Sequence, residues 1–301
     1  MKKTLPPLDL AALLESWELS LRAERKSPET VKSYTAGVRG FLRWCEEHAE
    51  APVIDRTLVQ RYTADLLDGG AAAATARARQ LGMKRFAAWL VEEGELDADP
   101  IAGLKPPKLD VQVVEPLTED QLKGLIKACS GKSLRERRDE ALVRLIAETG
   151  IRASEAVDMK VADVDLTRGM ATVYRGKGGK GRIVPFGPQT AMALDRYMRV
   201  RRAHVRADSP DLWVGDRGKG FSYDGLYAAL KYRAELAGIK GFHPHLLRTT
   251  FATRWLSEGG SEGSLMAVAG WSRRDMIDRY TRATASDRAA AEARTLNLGD
   301  L

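Results

Sequence analysis

Between Asp97 and Thr118 the chain carries Asp99-Pro100, Lys105-Pro106-Pro107-Lys108 and Glu115-Pro116, and this cluster constrains the fold more than any other feature. Each proline lacks an N–H, fixes its own backbone and pushes the preceding residue out of helical geometry, so neither helix nor sheet runs through the segment. The 301 residues are thereby divided, and each part has enough apolar side chains for its own core. We predict an N-terminal unit at residues 1–105, a linker at 106–117 and a C-terminal unit at 118–301.

The first unit reads as all helical. Leu10, Leu13, Leu14, Trp17 and Leu21 fall on one helical stripe, and Val31, Tyr34, Val38, Phe41, Leu42 and Cys45 on another. Ser27-Pro28 separates them as N-cap and first helical residue. Two more helices are predicted around Leu58–Leu67 and from about Ala73 to Val91.

In the second unit Thr118-Glu119-Asp120-Gln121 has capping-box spacing and opens a helix through Ala128. An amphipathic helix over 139–148 ends at Thr149-Gly150, and Arg152 then opens a short helix through Met159. Met170–Arg175 and Arg182–Phe186 read as strands flanking Gly176-Lys177-Gly178-Gly179-Lys180-Gly181, a glycine-rich hairpin tip with two lysines. The remainder is mostly helical, with Ser272-Arg273-Arg274-Asp275 as a capping box for a helix ending near Tyr280.

Net charge is +7, from 48 basic and 41 acidic residues interleaved along the chain, which fits a folded protein with a basic face toward a polyanion. Cys45 and Cys129 are far apart, in no CxxC arrangement, and read as buried thiols in a reducing compartment rather than zinc ligands. Met1–Pro7 has two lysines but no apolar run of signal-peptide length after them, and no stretch approaches a membrane span. A cytoplasmic protein is expected. Gly131-Lys132-Ser133 mimics the end of a phosphate-binding loop, but Ile126 stands where its first glycine is required, so ATP binding is not expected.

The chemistry concentrates in an ordered set. His245-Leu246-Leu247-Arg248 puts a base and a permanent cation one helical turn apart, while Leu247, Phe251 and Trp255 lie on a neighbouring stripe suited to the core. Taken alone, the pair also reads as a surface histidine and arginine capping a helix. Arg152 upstream supplies a second guanidinium, and two such forks match the non-bridging oxygens of a phosphodiester. Tyr280 is the last tyrosine and the only one after this motif. A phenol titrates near 10, so it needs cations and a proton acceptor to attack phosphorus at neutral pH.

Arg152, Lys177, His245, Arg248, Trp271 and Tyr280, in that order, resemble the catalytic set of the tyrosine recombinases of the phage integrase family, of the Xer and Cre kind. The resemblance covers nearly the whole chain. It implies a mainly α fold with a small antiparallel β-sheet: a two-domain C-shaped clamp with a helical, SAM-like core-binding domain followed by an α+β catalytic domain. Arg152 and Arg248 would hold the scissile phosphate and stabilise the transition state. Glu155, three residues after Arg152, resembles the acidic residue that orients the site, and it also suits a helix start. Lys177 would protonate the departing 5′ oxygen, with Lys180 as its rival, and His245 would accept or hold the proton of the nucleophile Tyr280. His243 reads as a residue of the helix start. Trp271 departs from the commoner Gly-His-Ser, and its indole can donate a hydrogen bond but cannot do acid–base work.

The function so implied is site-specific recombination of double-stranded DNA core sites by two transesterifications, without cofactor or metal. A type IB topoisomerase and a catalytically silent DNA-binding regulator of the same fold remain alternatives. The resemblance further implies a homotetramer on DNA with the C-terminal segment docking in trans, leaves room for a directionality factor, and implies no membrane partner.

Overall fold

The computed structural model describes residues 8–109, 114–174, 181–274, 276, 277 and 294. The chain divides into two compact units, Met1–Gln112 and Val113–Leu301.

Among the described residues four helices build the first unit: α1 (Leu10–Ala23), α2 (Pro28–Glu47), α3 (Arg56–Asp68) and α4 (Ala73–Glu92). Their starts are chemically specified. The Asp9 carboxylate accepts from the Ala11 and Ala12 amides, the Ser27 hydroxyl from the Thr30 amide ahead of Pro28, and Asp55 from the amides of Thr57 and Leu58. The two predicted stripes turn inward, with Leu14, Trp17, Val38 and Phe41 buried, and α4 adds Met83, Phe86 and Leu90 to the same core. Trp17 and Phe86 meet at 5.1 Å between ring centroids. Helices α2 and α4 approach closely because Gly37 and Gly82 face one another: a Cβ on Gly82 would overlap the Tyr34 carbonyl oxygen, and one on Gly37 that of Arg79.

The second unit runs α5 (Glu119–Ala128), α6 (Leu134–Thr149), α7 (Ala153–Asp158), β1 (Val164–Asp165), β2 (Met170–Val173), β3 (Arg182–Pro185), α8 (Pro188–Arg201), α9 (Tyr223–Leu236), α10 (His245–Ser257) and α11 (Glu262–Ala269). The Thr118–Gln121 capping box opens α5 as its spacing predicts. Helix α6 differs from expectation, beginning five residues earlier than 139 with a second capping box, Ser133–Glu136. It is also buried almost all round rather than amphipathic, because it is the central helix and Arg138, Asp139 and Glu140 are partnered inside the protein.

The sheet is antiparallel in the order β1-β2-β3, with Val164 opposite Ala171, and Ala171 opposite Val184. Strand β1 was not anticipated, since two residues carry no alternation to read. Ala171, Val173 and Val184 point into the core, and Arg182, opposite Val173, shares the face of Val184. The basic first residue of β3 is thus aimed inward. The fold is mainly helical with a small antiparallel sheet, as the sequence implies.

Candidate active site

Three chain junctions in the second unit converge around two arginines. The first is the end of α6, where Gly150 closes the helix with φ +62°. A side chain there would overlap the Phe251 ring, so the position favours glycine for both its backbone and its surroundings. Two residues later Arg152 is the N-cap of α7. Its backbone N–H donates to Glu155 Oε2 at 2.9 Å and its Nη1 to Glu155 Oε1 at 2.9 Å.

The second junction is the start of β3. Arg182 donates from Nη1 to Glu155 Oε1 at 3.0 Å and from Nη2 to Oε2 at 2.7 Å, a bidentate pair. Its Nε donates to the Val268 carbonyl oxygen at 2.7 Å. Glu155 is therefore enclosed by N–H donors. Burial pushes its carboxyl upward, but the Arg182 bonds, the Arg152 amide and the two positive charges outweigh burial and bring it down to about 2.

The third junction is the end of α11. Arg248, on α10, is only 1% exposed. Its Nη1 donates to the Gly150 carbonyl oxygen and its Nη2 to that of Ala269 at 2.7 Å, which fixes the plane of the guanidinium. The same group lies 5.2 Å from the centroid of the Trp271 ring. Trp271 is buried and follows Gly270, which ends α11 with φ +66°. A Cβ on Gly270 would sit 3.0 Å from the Arg182 guanidinium. Arg182 and Arg248 thus both connect the α6–α7 junction to the end of α11, one through Glu155 and Val268, the other through Gly150 and Ala269.

Of the predicted site residues, Arg152, Glu155, Arg248 and Trp271 are brought together in this way. His245 begins α10 one turn before Arg248 and is exposed, with the His243 ring 6.4 Å away and nearly parallel. Lys177, its rival Lys180 and Tyr280 lie outside the described residues. Arg248 sits deeper than a surface-presenting stripe implies, because α10 is flanked by α6 and α11. Sequence reasoning missed Arg182 as a site residue. Its signal was present: a charge on the inward parity of a strand requires a buried partner. Among the described residues no three His, Cys, Asp or Glu side chains gather as metal ligands.

Comparison with known proteins covers both units. The profile of the Phage integrase family matches residues 115–287, and that of the phage integrase N-terminal SAM-like domain matches residues 14–94. The chain is 34% identical to the tyrosine recombinase XerD of Corynebacterium glutamicum, over 91% of this chain and 94% of that protein. It resembles the crystal structure of XerA recombinase with a TM-score of 0.55 at 27% identity, covering 95% and 98% of the two chains. A lambda integrase tetramer bound to a Holliday junction shares the fold, with a TM-score of 0.69 at 16% identity over 88% of this chain and 77% of the other.

Proposed function

This chain belongs to the phage integrase family of tyrosine recombinases, and from that premise we propose that it exchanges strands between two DNA duplexes through a 3′-phosphotyrosyl intermediate. The observation that best supports this reading is the joining of the Arg152 and Arg248 segments through the Gly150 carbonyl, with Glu155 holding Arg152 from behind. Fixed guanidiniums suit a pentacoordinate phosphorane, whose charge exceeds that of the ground-state diester.

In this reading Tyr280 Oη attacks the scissile phosphorus and its proton passes toward His245. The bond to the 5′ oxygen breaks, and Lys177 protonates the departing alkoxide. Arg152 and Arg248 neutralise the equatorial oxygens, while the Trp271 indole contributes packing and a donor but moves no proton. A 5′ hydroxyl of the partner duplex then attacks the phosphotyrosine, restoring a diester and the phenol. One ester is exchanged for another of similar energy, so no nucleotide hydrolysis drives the reaction.

The first unit would grip the duplex beside the catalytic one, the working assembly would be a homotetramer on paired core sites, and the C-terminal segment would dock in trans. Among the described residues no helix is long and apolar enough to cross a membrane, and we place the protein in the cytoplasm, where its DNA is.

The test is a nicked suicide duplex built on the core site that the wild-type chain selects from a random-sequence duplex pool. We expect a covalent protein–DNA adduct with wild type and none with Tyr280→Phe. An adduct that survives Tyr280→Phe sinks the nucleophile assignment, and tight binding without any adduct in the wild type makes the chain a DNA-binding regulator instead.

A further inference from the structure

Two arginines share one carboxylate beside the phosphate grip, and the charge balance of that trio has a consequence. Glu155 is a largely buried anion, with its side chain 9% exposed. It needs one cation nearby, since an uncompensated charge in that setting is strongly unfavourable. Arg182 meets the requirement from the inner side, itself only 13% exposed and holding both carboxylate oxygens. Arg152 meets Glu155 through one guanidinium nitrogen and its backbone amide, with its side chain 39% exposed. One negative and two positive charges leave a surplus of one, located on the arginine that reaches outward. Arg182 is held in turn from the other side: its Nε bonds the Val268 carbonyl and its guanidinium fits under the glycine that precedes Trp271.

We propose that Arg182 is a positioning residue for strand cleavage: it serves as the counterion of Glu155, so that Glu155 orients Arg152 without consuming its charge, and it ties this pair to the Gly270–Trp271 turn. The inference rests on the recombinase reading above. Without Arg182, Arg152 becomes the sole counterion of a buried carboxylate and is drawn toward it, away from the phosphate. The downward pull that Arg182 exerts on the Glu155 carboxyl is the electrostatic counterpart of the same arrangement.

The experiment measures single-turnover cleavage on the selected suicide duplex, once with an ordinary scissile phosphate and once with an uncharged methylphosphonate at that position. DNA binding is measured in parallel. Arg182→Gln should cleave the phosphate duplex roughly 30- to 100-fold more slowly while binding stays within about threefold, as expected of a misplaced transition-state contact. Its defect should shrink about tenfold on the methylphosphonate, where the cation of Arg152 has less to stabilise. Arg182→Lys, which keeps the counterion, should recover most of the phosphate-to-methylphosphonate ratio. The double variant Glu155→Gln/Arg182→Gln removes anion and counterion together, so that ratio should return to within about threefold of wild type while both rates stay below wild type, because Glu155 no longer holds Arg152.

A wild-type rate in Arg182→Gln, or an equal defect on both duplexes, overturns the proposal. If Arg182→Gln fails to fold, the double variant decides, and a ratio more than about tenfold below wild type then counts against Arg182. Absence of an adduct in the wild type removes the recombinase reading and this inference with it. An adduct in the wild type with no effect of Arg182 removes the inference alone.

Discussion

Among the described residues, the N-terminal unit buries Thr35, Thr63 and Gln80 but no charged side chain, whereas the C-terminal unit buries Arg138, Asp139, Glu140, Arg201, Arg233 and Arg248. The first is a helix bundle held by apolar stripes and close backbone approach at Gly37 and Gly82. The second wraps an apolar core around guanidiniums fixed by carboxylates and carbonyls. The difference teaches what each surface demands. Packing alone gives a stable helical body, whereas cations that must stand in one geometry need bonds behind them, and those bonds carry a desolvation cost that apolar packing does not.

Removing one member of the buried charge network should have the largest effect. Asp139 accepts from Arg138 at 2.9 Å and from Arg233 at 2.9 Å, with all three side chains under 9% exposed. Asp139→Ala leaves buried Arg233 without its carboxylate and Arg138 with only a longer pair to Asp216 at 3.9 Å, and should destabilise the C-terminal unit by about 3–5 kcal/mol. Hydrogen exchange resolved by unit is the measurement, and equal loosening of the N-terminal unit would break the comparison.

Acid should separate the units next. The Glu155 carboxyl lies below its usual range when folded, so its contribution is complete above about pH 4.5 and drains away as the pH falls toward 2. This amounts to roughly 3 kcal/mol at most. In an acid titration followed by hydrogen exchange, Glu155→Gln should flatten this part of the C-terminal unit's pH dependence and leave that of the N-terminal unit unchanged. A wild-type slope in Glu155→Gln would place the acid sensitivity elsewhere.

The smallest effect belongs to the apolar unit. Gly82→Ala puts a methyl against the Tyr34 carbonyl and forces α2 and α4 apart, which should cost about 1–3 kcal/mol. Protection should fall in residues of α2 and α4 alone, and loss of protection around α10 would contradict the independence of the two cores.

Much of this architecture is legible locally. Ser27-Pro28, Thr118 with Gln121 and the proline cluster act within a few residues, and the helices they delimit stand where the spacing places them. Misreadings occurred where distant chain decides. Helix α6 was read as amphipathic from 139, whereas α9 supplies Arg233 to hold Asp139 inside, and β1 exists because β2 pairs with it. Within the candidate site, Arg152, Glu155, His245, Arg248 and Trp271 were recognisable as an ordered set of residue types, whereas the inward parity of Arg182 signalled a buried partner without naming Glu155, 27 positions away.

What the sequence determined by itself was therefore the helical segments, their caps and the order of chemical groups along the chain. All of these follow from interactions over about one turn or from residue identity. Only the tertiary structure decided that Arg248 lies beneath Trp271 with its guanidinium on the carbonyl of Gly150, 98 positions earlier, and that Arg182 stands between Glu155 and the end of α11. Such contacts depend on how helices and strands pack, and nothing in local periodicity specifies which buried carbonyl or carboxylate an inward-facing arginine will meet.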